Sequence, residues 1–116
     1  MKYISEKDFL DYYNNTSSTL TKDDVVVLKT PTCVKCESLF DDVKSNYYTD
    51  QDEDLIINGK RFFGFNYTGP KEQPDATKLI AELCLVNVPT FIKYVNDKVV
   101  CLEYNGQPLE MFAGDI

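Results

Sequence analysis

Apolar positions along this chain change their period several times, and each change predicts an element. Ser5 stands where a helix would start, with Ile4 before it and Asp8 three residues on. Ser5 suits the N-cap, Asp8 takes the N3 place usually held by Glu, and Ile4 and Phe9 fit the two ends of a hydrophobic staple. Phe9, Leu10 and Tyr13 then form the expected inward face, and the polar run 14–18 ends the helix. Residues 25–28 are Val, Val, Val and Leu, apolar without alternation. That predicts a short strand buried on both faces. Thr30, Pro31 and Thr32 break it, and the period then becomes helical, with Cys36, Leu39, Phe40 and Val43 at i, i+3, i+4 and i+7. This helix is expected to run to about residue 45 or 48.

The remainder alternates in the same way. Residues 49–54 are acidic and poor in apolar side chains, which reads as a solvated loop; no Gly or closing Glu makes it an EF-hand. Leu55, Ile56 and Ile57 precede Asn58-Gly59, and Phe62, Phe63, Phe65 and Tyr67 follow it, which predicts two strands about a tight turn. Gly64 inside the second implies a bulge or a close approach. Beyond the Gly- and Pro-containing loop 68–74, Ala76, Leu79, Ile80, Leu83 and Cys84 recur at helical spacing and place Cys84 on the buried face. Residues 91–95 and 99–104 form a hairpin about Asn96-Asp97. Pro108 could open a last short helix carrying Leu109, Met111 and Phe112. The order α-β-α-(β)β-α-β-β-(α) predicts one α/β domain over residues 1–116, a mixed sheet with helices on both faces.

The chemistry concentrates in Cys33-Val34-Lys35-Cys36. This CxxC lies where a strand ends and a helix begins, with Cys33 at or near the helix N-terminus. Unpaired N–H groups and the positive end of the helix dipole favour a thiolate there. Lys35 adds a positive charge that would lower the Cys33 pKa further, or it is an ordinary exposed lysine. Cys84 and Cys101 read as core cysteines, with a second redox pair as the alternative. With one CxxC, two isolated Cys and no His, the paired spacing of a structural zinc motif is missing, so no metal is expected.

Composition narrows the functional classes. The chain has 116 residues, 43% hydrophobic and 13% aromatic, enough for a core of its own. A net charge of -7 argues against direct nucleic-acid binding. Residues 1–11 carry Glu6, Asp8 and Asp11 and do not read as a signal peptide. No stretch approaches the ~18 apolar residues of a membrane span. The expectation is a soluble cytoplasmic protein, monomeric, with no membrane partner. The N-x-[ST] patterns at Asn14, Asn15 and Asn66 then count as chance matches.

In this order, the 25–28 strand running into Cys33-Val34-Lys35-Cys36, then Val88-Pro89-Thr90-Phe91, then the hairpin followed by Gly106, resemble the thioredoxin-like superfamily over nearly the whole chain. Val88-Pro89-Thr90 is similar to that family's segment with a cis-proline. The resemblance implies a thioredoxin-like fold, with the CxxC at the edge of a central mixed sheet and a cis Val88–Pro89 bond close to Cys33. Departures are plain. The chain has no Trp, and the motif is Thr32-Cys33-Val34-Lys35-Cys36. The strand before it carries no acid to act as a proton relay. Tyr104-Asn105-Gly106-Gln107 lacks the Gly-Gly-x-Asp with which glutaredoxins hold glutathione. Motifs divergent in this way resemble those of the small thioredoxins and glutaredoxins encoded by phages and other viruses.

The function the resemblance implies is thiol–disulfide exchange without a bound cofactor. Cys33 would attack as an accessible thiolate titrating below the free-cysteine value of ~8.5, and a buried Cys36 would resolve the mixed disulfide. Val88 and Pro89, with Thr32 and Lys35, would make the substrate-binding surface, the free backbone edge at Val88 pairing with an extended peptide. Partners would be disulfide-containing proteins such as ribonucleotide reductase, with thioredoxin reductase or glutathione as reductant. Two alternatives stay open: a glutathione-dependent glutaredoxin, with Lys29 or Lys35 holding a carboxylate, and a redox-silent binding module or subunit.

Overall fold

A computed structural model describes residues 1–47, 54–85 and 87–114. The elements are β1 (Lys2–Tyr3), α1 (Glu6–Tyr13), β2 (Val25–Lys29), α2 (Val34–Tyr47), β3 (Leu55–Ile57), β4 (Lys60–Asn66), α3 (Pro74–Glu82), β5 (Thr90–Val95), β6 (Lys98–Glu103) and α4 (Glu110–Ala113). Every element expected from the sequence is present, and β1 is an addition. The acidic stretch 49–54 lies outside the described residues except for Asp54, whose carboxylate is 3.4 Å from Lys2 Nζ.

The described strands form one mixed sheet in the order β1-β4-β2-β5-β6, with β3 also paired to β4. β4 runs parallel to β2, and β5 and β6 return antiparallel. β2 therefore lies in the middle. The CxxC leaves the C-terminal end of the central strand and does not sit at the sheet's edge, because β4 takes one side of β2 and the hairpin takes the other.

Strand alternation divides the core into two layers. Val25 and Val27 point to one face and pack with Leu39 and Val43 of α2 and Phe112 of α4. Val26 and Leu28 point to the other and pack with Phe9 and Tyr12 of α1 and Ala76 and Leu79 of α3. A side chain buried this fully contributes ~1.5–3 kcal/mol, which is why the strand has no polar face. Two aromatic stacks anchor the layers: Phe9 on Phe65 at 4.4 Å and Phe91 on Phe112 at 3.9 Å between ring centroids.

Helix α1 starts as its sequence directs, with the Asp8 N–H donating to Ser5 Oγ at 3.2 Å. Its inward face differs from the expected one. Phe9 and Tyr12 are the buried residues, and Leu10 and Tyr13 are only partly covered. The Tyr12 hydroxyl donates to the Asp24 carbonyl at 2.7 Å. Burial pushes this phenol well above the ordinary tyrosine range, so it remains a donor. Gly64 is explained by β1: a Cβ there would stand 2.8 Å from the Tyr3 ring, which lies across the strand.

One further expectation is corrected. Cys84 is exposed. Helix α3 closes on a Schellman turn, the Leu85 N–H bonding to Ile80 O and the Cys84 N–H to Ala81 O, both at 3.1 Å. Cys84 takes the left-handed position of that turn, φ 55°, and so leaves the helical phase that would have buried it. The last short helix is present, with Leu109 at its N-cap; Leu109 and Phe112 are buried and Met111 is 58% exposed.

Candidate functional site

Cys33 is the residue from which α2 begins. Its carbonyl accepts the Glu37 N–H at 3.2 Å, which makes it the N-cap. A cap side chain accepts from the N–H of N2 or N3, and here the Cys36 N–H donates to Cys33 Sγ at 3.1 Å. The preceding Thr30, Pro31 and Thr32 allow this turn because proline cannot continue the β2 ladder. The two cysteines form a disulfide with Cα atoms 5.2 Å apart. Cys33 is partly exposed and Cys36 is 2% exposed, one turn along the face that packs on the sheet.

The loop between α3 and β5 reaches the same place. The Val88–Pro89 bond is cis, and the Val88 carbonyl oxygen is 3.6 Å from Cys33 Sγ. Cys33, Cys36, Val88 and Pro89, far apart in sequence, are thus brought together. Thr32 and Lys35 are exposed beside them, and Val34 is 81% exposed between the cysteines. Lys29 is occupied elsewhere. Its ammonium lies 4.7 Å from the Phe40 ring centroid and 5.2 Å from that of Tyr3, and it donates to the Tyr3 hydroxyl at 3.3 Å. That leaves Lys35 as the better placed of the two for a carboxylate.

Sequence reasoning missed the polar supports of the loop. Thr90 Oγ donates to the Asn87 carbonyl at 2.6 Å, Asn87 Nδ2 donates to Glu103 Oε1 at 2.8 Å, and the Tyr104 N–H donates to Pro89 O at 3.0 Å. Their one visible signal is Thr90, a hydroxyl opening an otherwise apolar strand. A buried acid does precede β2: Asp24, 3% exposed, accepts from Arg61 Nε at 2.9 Å and Nη2 at 2.7 Å. It lies at the far end of β2, about 16 Å from Lys29 at ~3.3 Å per residue. It is a structural ion pair away from the cysteines.

A shallow groove of about 390 Å³ opens next to the site, lined by Lys35, Ser38, Tyr104, Asn105 and Gly106. Among the described residues, no three His, Cys, Asp or Glu side chains gather as a metal site would require, and no helix is long and apolar enough to cross a membrane.

No family model, curated protein or solved structure matches this chain.

The two remaining cysteines are expected to differ in reactivity. Cys84 is exposed, whereas burial pushes the Cys101 thiol up. Less Cys101 is therefore thiolate at any given pH, and its alkylation begins at higher pH than that of an ordinary thiol. Iodoacetamide on the oxidised protein between about pH 8 and 9 should label Cys84 and leave Cys101 largely intact, read by peptide mass mapping. Equal labelling of both would contradict the half-buried placement of Cys101.

Proposed function

We propose that this chain is a thiol–disulfide oxidoreductase of thioredoxin-like type that reduces disulfides in proteins. The observation that carries this reading is the placement of Cys33 Sγ, which accepts the Cys36 N–H at the start of α2 and faces the Val88 carbonyl. A thiolate at that position is stabilised by the N–H bond and by the positive end of the helix. Partial exposure lets a substrate sulfur reach it, while Cys36 stays covered until the first exchange has occurred.

The reaction balances as two exchanges. Cys33 thiolate attacks one sulfur of the substrate disulfide. A Cys33–substrate S–S bond forms, the substrate S–S bond breaks, and the released thiolate takes a proton from water. Cys36, after giving its proton to solvent, attacks Cys33 Sγ. The Cys33–Cys36 disulfide forms and the second substrate thiolate leaves. Two electrons pass to the substrate, and an external dithiol or thiol returns them.

The groove beside Lys35 favours a second reading, in which glutathione is the reductant and the protein is a glutaredoxin. Among the described residues Lys35 is its one cationic lining residue, whereas two carboxylates of a small anion call for donors at defined places. Pro108, just beyond the groove, has no N–H to offer.

Insulin reduction separates the readings, run with thioredoxin reductase in one cuvette and with glutathione plus glutathione reductase in the other. Faster turnover with thioredoxin reductase is expected. Faster turnover with glutathione moves the assignment to glutaredoxin. Failure to reduce insulin even with dithiothreitol would leave a redox-silent binding module.

A further inference from the structure

We infer that Thr90 is a positioning residue for substrates whose disulfide is embedded in a peptide, acting through the backbone of Val88; the inference rests on the reading of Cys33 and Cys36 as the reacting pair. The carbonyls of Asn87, Val88 and Pro89 follow one another along the loop before β5. The first accepts the Thr90 hydroxyl at 2.6 Å and the third accepts the Tyr104 N–H at 3.0 Å. The middle one is turned to Cys33 Sγ, at 3.6 Å. Among the described residues the Val88 N–H and C=O have no backbone partner. An extended peptide can therefore pair with Val88 and bring its disulfide to Cys33.

The orientation of Val88 depends on what holds its neighbours. Thr90 is 1% exposed, and its hydroxyl bonds the carbonyl of the exposed Asn87 at 2.6 Å, a partly buried bond that closes residues 87–90. Opposite it in the β5–β6 ladder stands Glu103, whose carboxylate holds the Asn87 side chain from outside. Removing the Thr90 hydroxyl leaves the Asn87 carbonyl without its partner and frees the turn to rotate. Val88 would then present its N–H and C=O in several orientations, and a peptide would lose affinity. The Cys33 thiolate keeps its own stabilising bond from Cys36 N–H, so its intrinsic reactivity should stay.

The test compares two disulfides with the pre-reduced protein in single-turnover kinetics. Insulin has a peptide backbone; 5,5′-dithiobis(2-nitrobenzoate) has none. Thr90→Val keeps the shape and loses the hydroxyl. It should raise the half-saturating insulin concentration up to about tenfold, the scale of one lost hydrogen bond. Its rate with the aromatic disulfide and the pH midpoint of that rate should stay within about twofold. Thr90→Ser should restore insulin binding. Glu103→Ala, at an exposed position, should give the same pattern more weakly, and it decides the matter if Thr90→Val does not fold. Equal slowing on both disulfides, or no change on insulin for a folded variant, overturns the inference. A wild-type protein inert to both substrates overturns the oxidoreductase reading instead.

Discussion

Cys33→Ser is expected to reduce insulin no faster than the dithiothreitol background, and Cys36→Ser is expected to accumulate a covalent adduct with its substrate. The two outcomes follow from the different places of the cysteines. Cys33 Sγ is the partly exposed sulfur at the helix N-terminus, and a serine hydroxyl there is no nucleophile toward a disulfide at neutral pH. Cys36 is covered, and in the proposed exchange its task would begin only once Cys33 carries the substrate. Without it the first exchange proceeds and the second cannot, so the mixed disulfide persists until a free thiol attacks it. Non-reducing gels and intact mass read both results. The pH dependence of Cys33 alkylation in Cys36→Ser adds a check, with a midpoint expected below the free-cysteine value of ~8.5. Modification of Cys36 ahead of Cys33 in the reduced wild type would reverse the assignment.

Phe91→Ala is expected to cost about 3–5 kcal/mol of unfolding free energy, the range for removing a buried phenylalanine. Phe91 is fully buried, stacked on Phe112 and edge-on to Phe62 at 6.0 Å. It fastens α4 to the sheet, and it lies two residues beyond Pro89 on the strand that carries the Val88 loop. A domain of this size has roughly 5–15 kcal/mol in all, so the variant should be near the edge of folding. Urea denaturation followed by circular dichroism measures the loss as a lowered midpoint at an unchanged slope. A loss under ~1 kcal/mol would mean that the Phe91–Phe112 stack does not hold α4.

The elements were legible wherever a run of side chains carried one clear period. Val25 to Leu28 could only be a strand covered on both faces, and the spacing of Cys36, Leu39 and Val43 could only bury one stripe of a helix. Asn58-Gly59 and Asn96-Asp97 marked their turns because both need a left-handed backbone, with φ of 52°, 78°, 51° and 64°. The pairing of Cys33 with Pro89 was legible by resemblance, since no local pattern connects positions so far apart. Short elements carried too little pattern. β1 is two exposed residues, and only its ladder with Phe63 and Gly64 makes it a strand. Tyr12 and Tyr13 are chemically alike, and the rotation of α1 on the sheet chose the first. Cys84 fitted the helical spacing, but the helix ended at Glu82, two residues before it.

By itself, then, the sequence determined the β2–turn–α2 unit and with it the N-cap position of Cys33, because capping, strand breaking and helix periodicity act between neighbours. It also determined that the core would have two layers, because residues 25–28 of β2 have no polar side chain to show to water. The tertiary structure alone decided that β2 is central, that Lys29 lies between Tyr3 and Phe40, and that Asp24 pairs with Arg61. Each of these joins residues with no fixed separation along the chain. Their distances are set by how the sheet closes its ladders and by which buried polar groups must find partners.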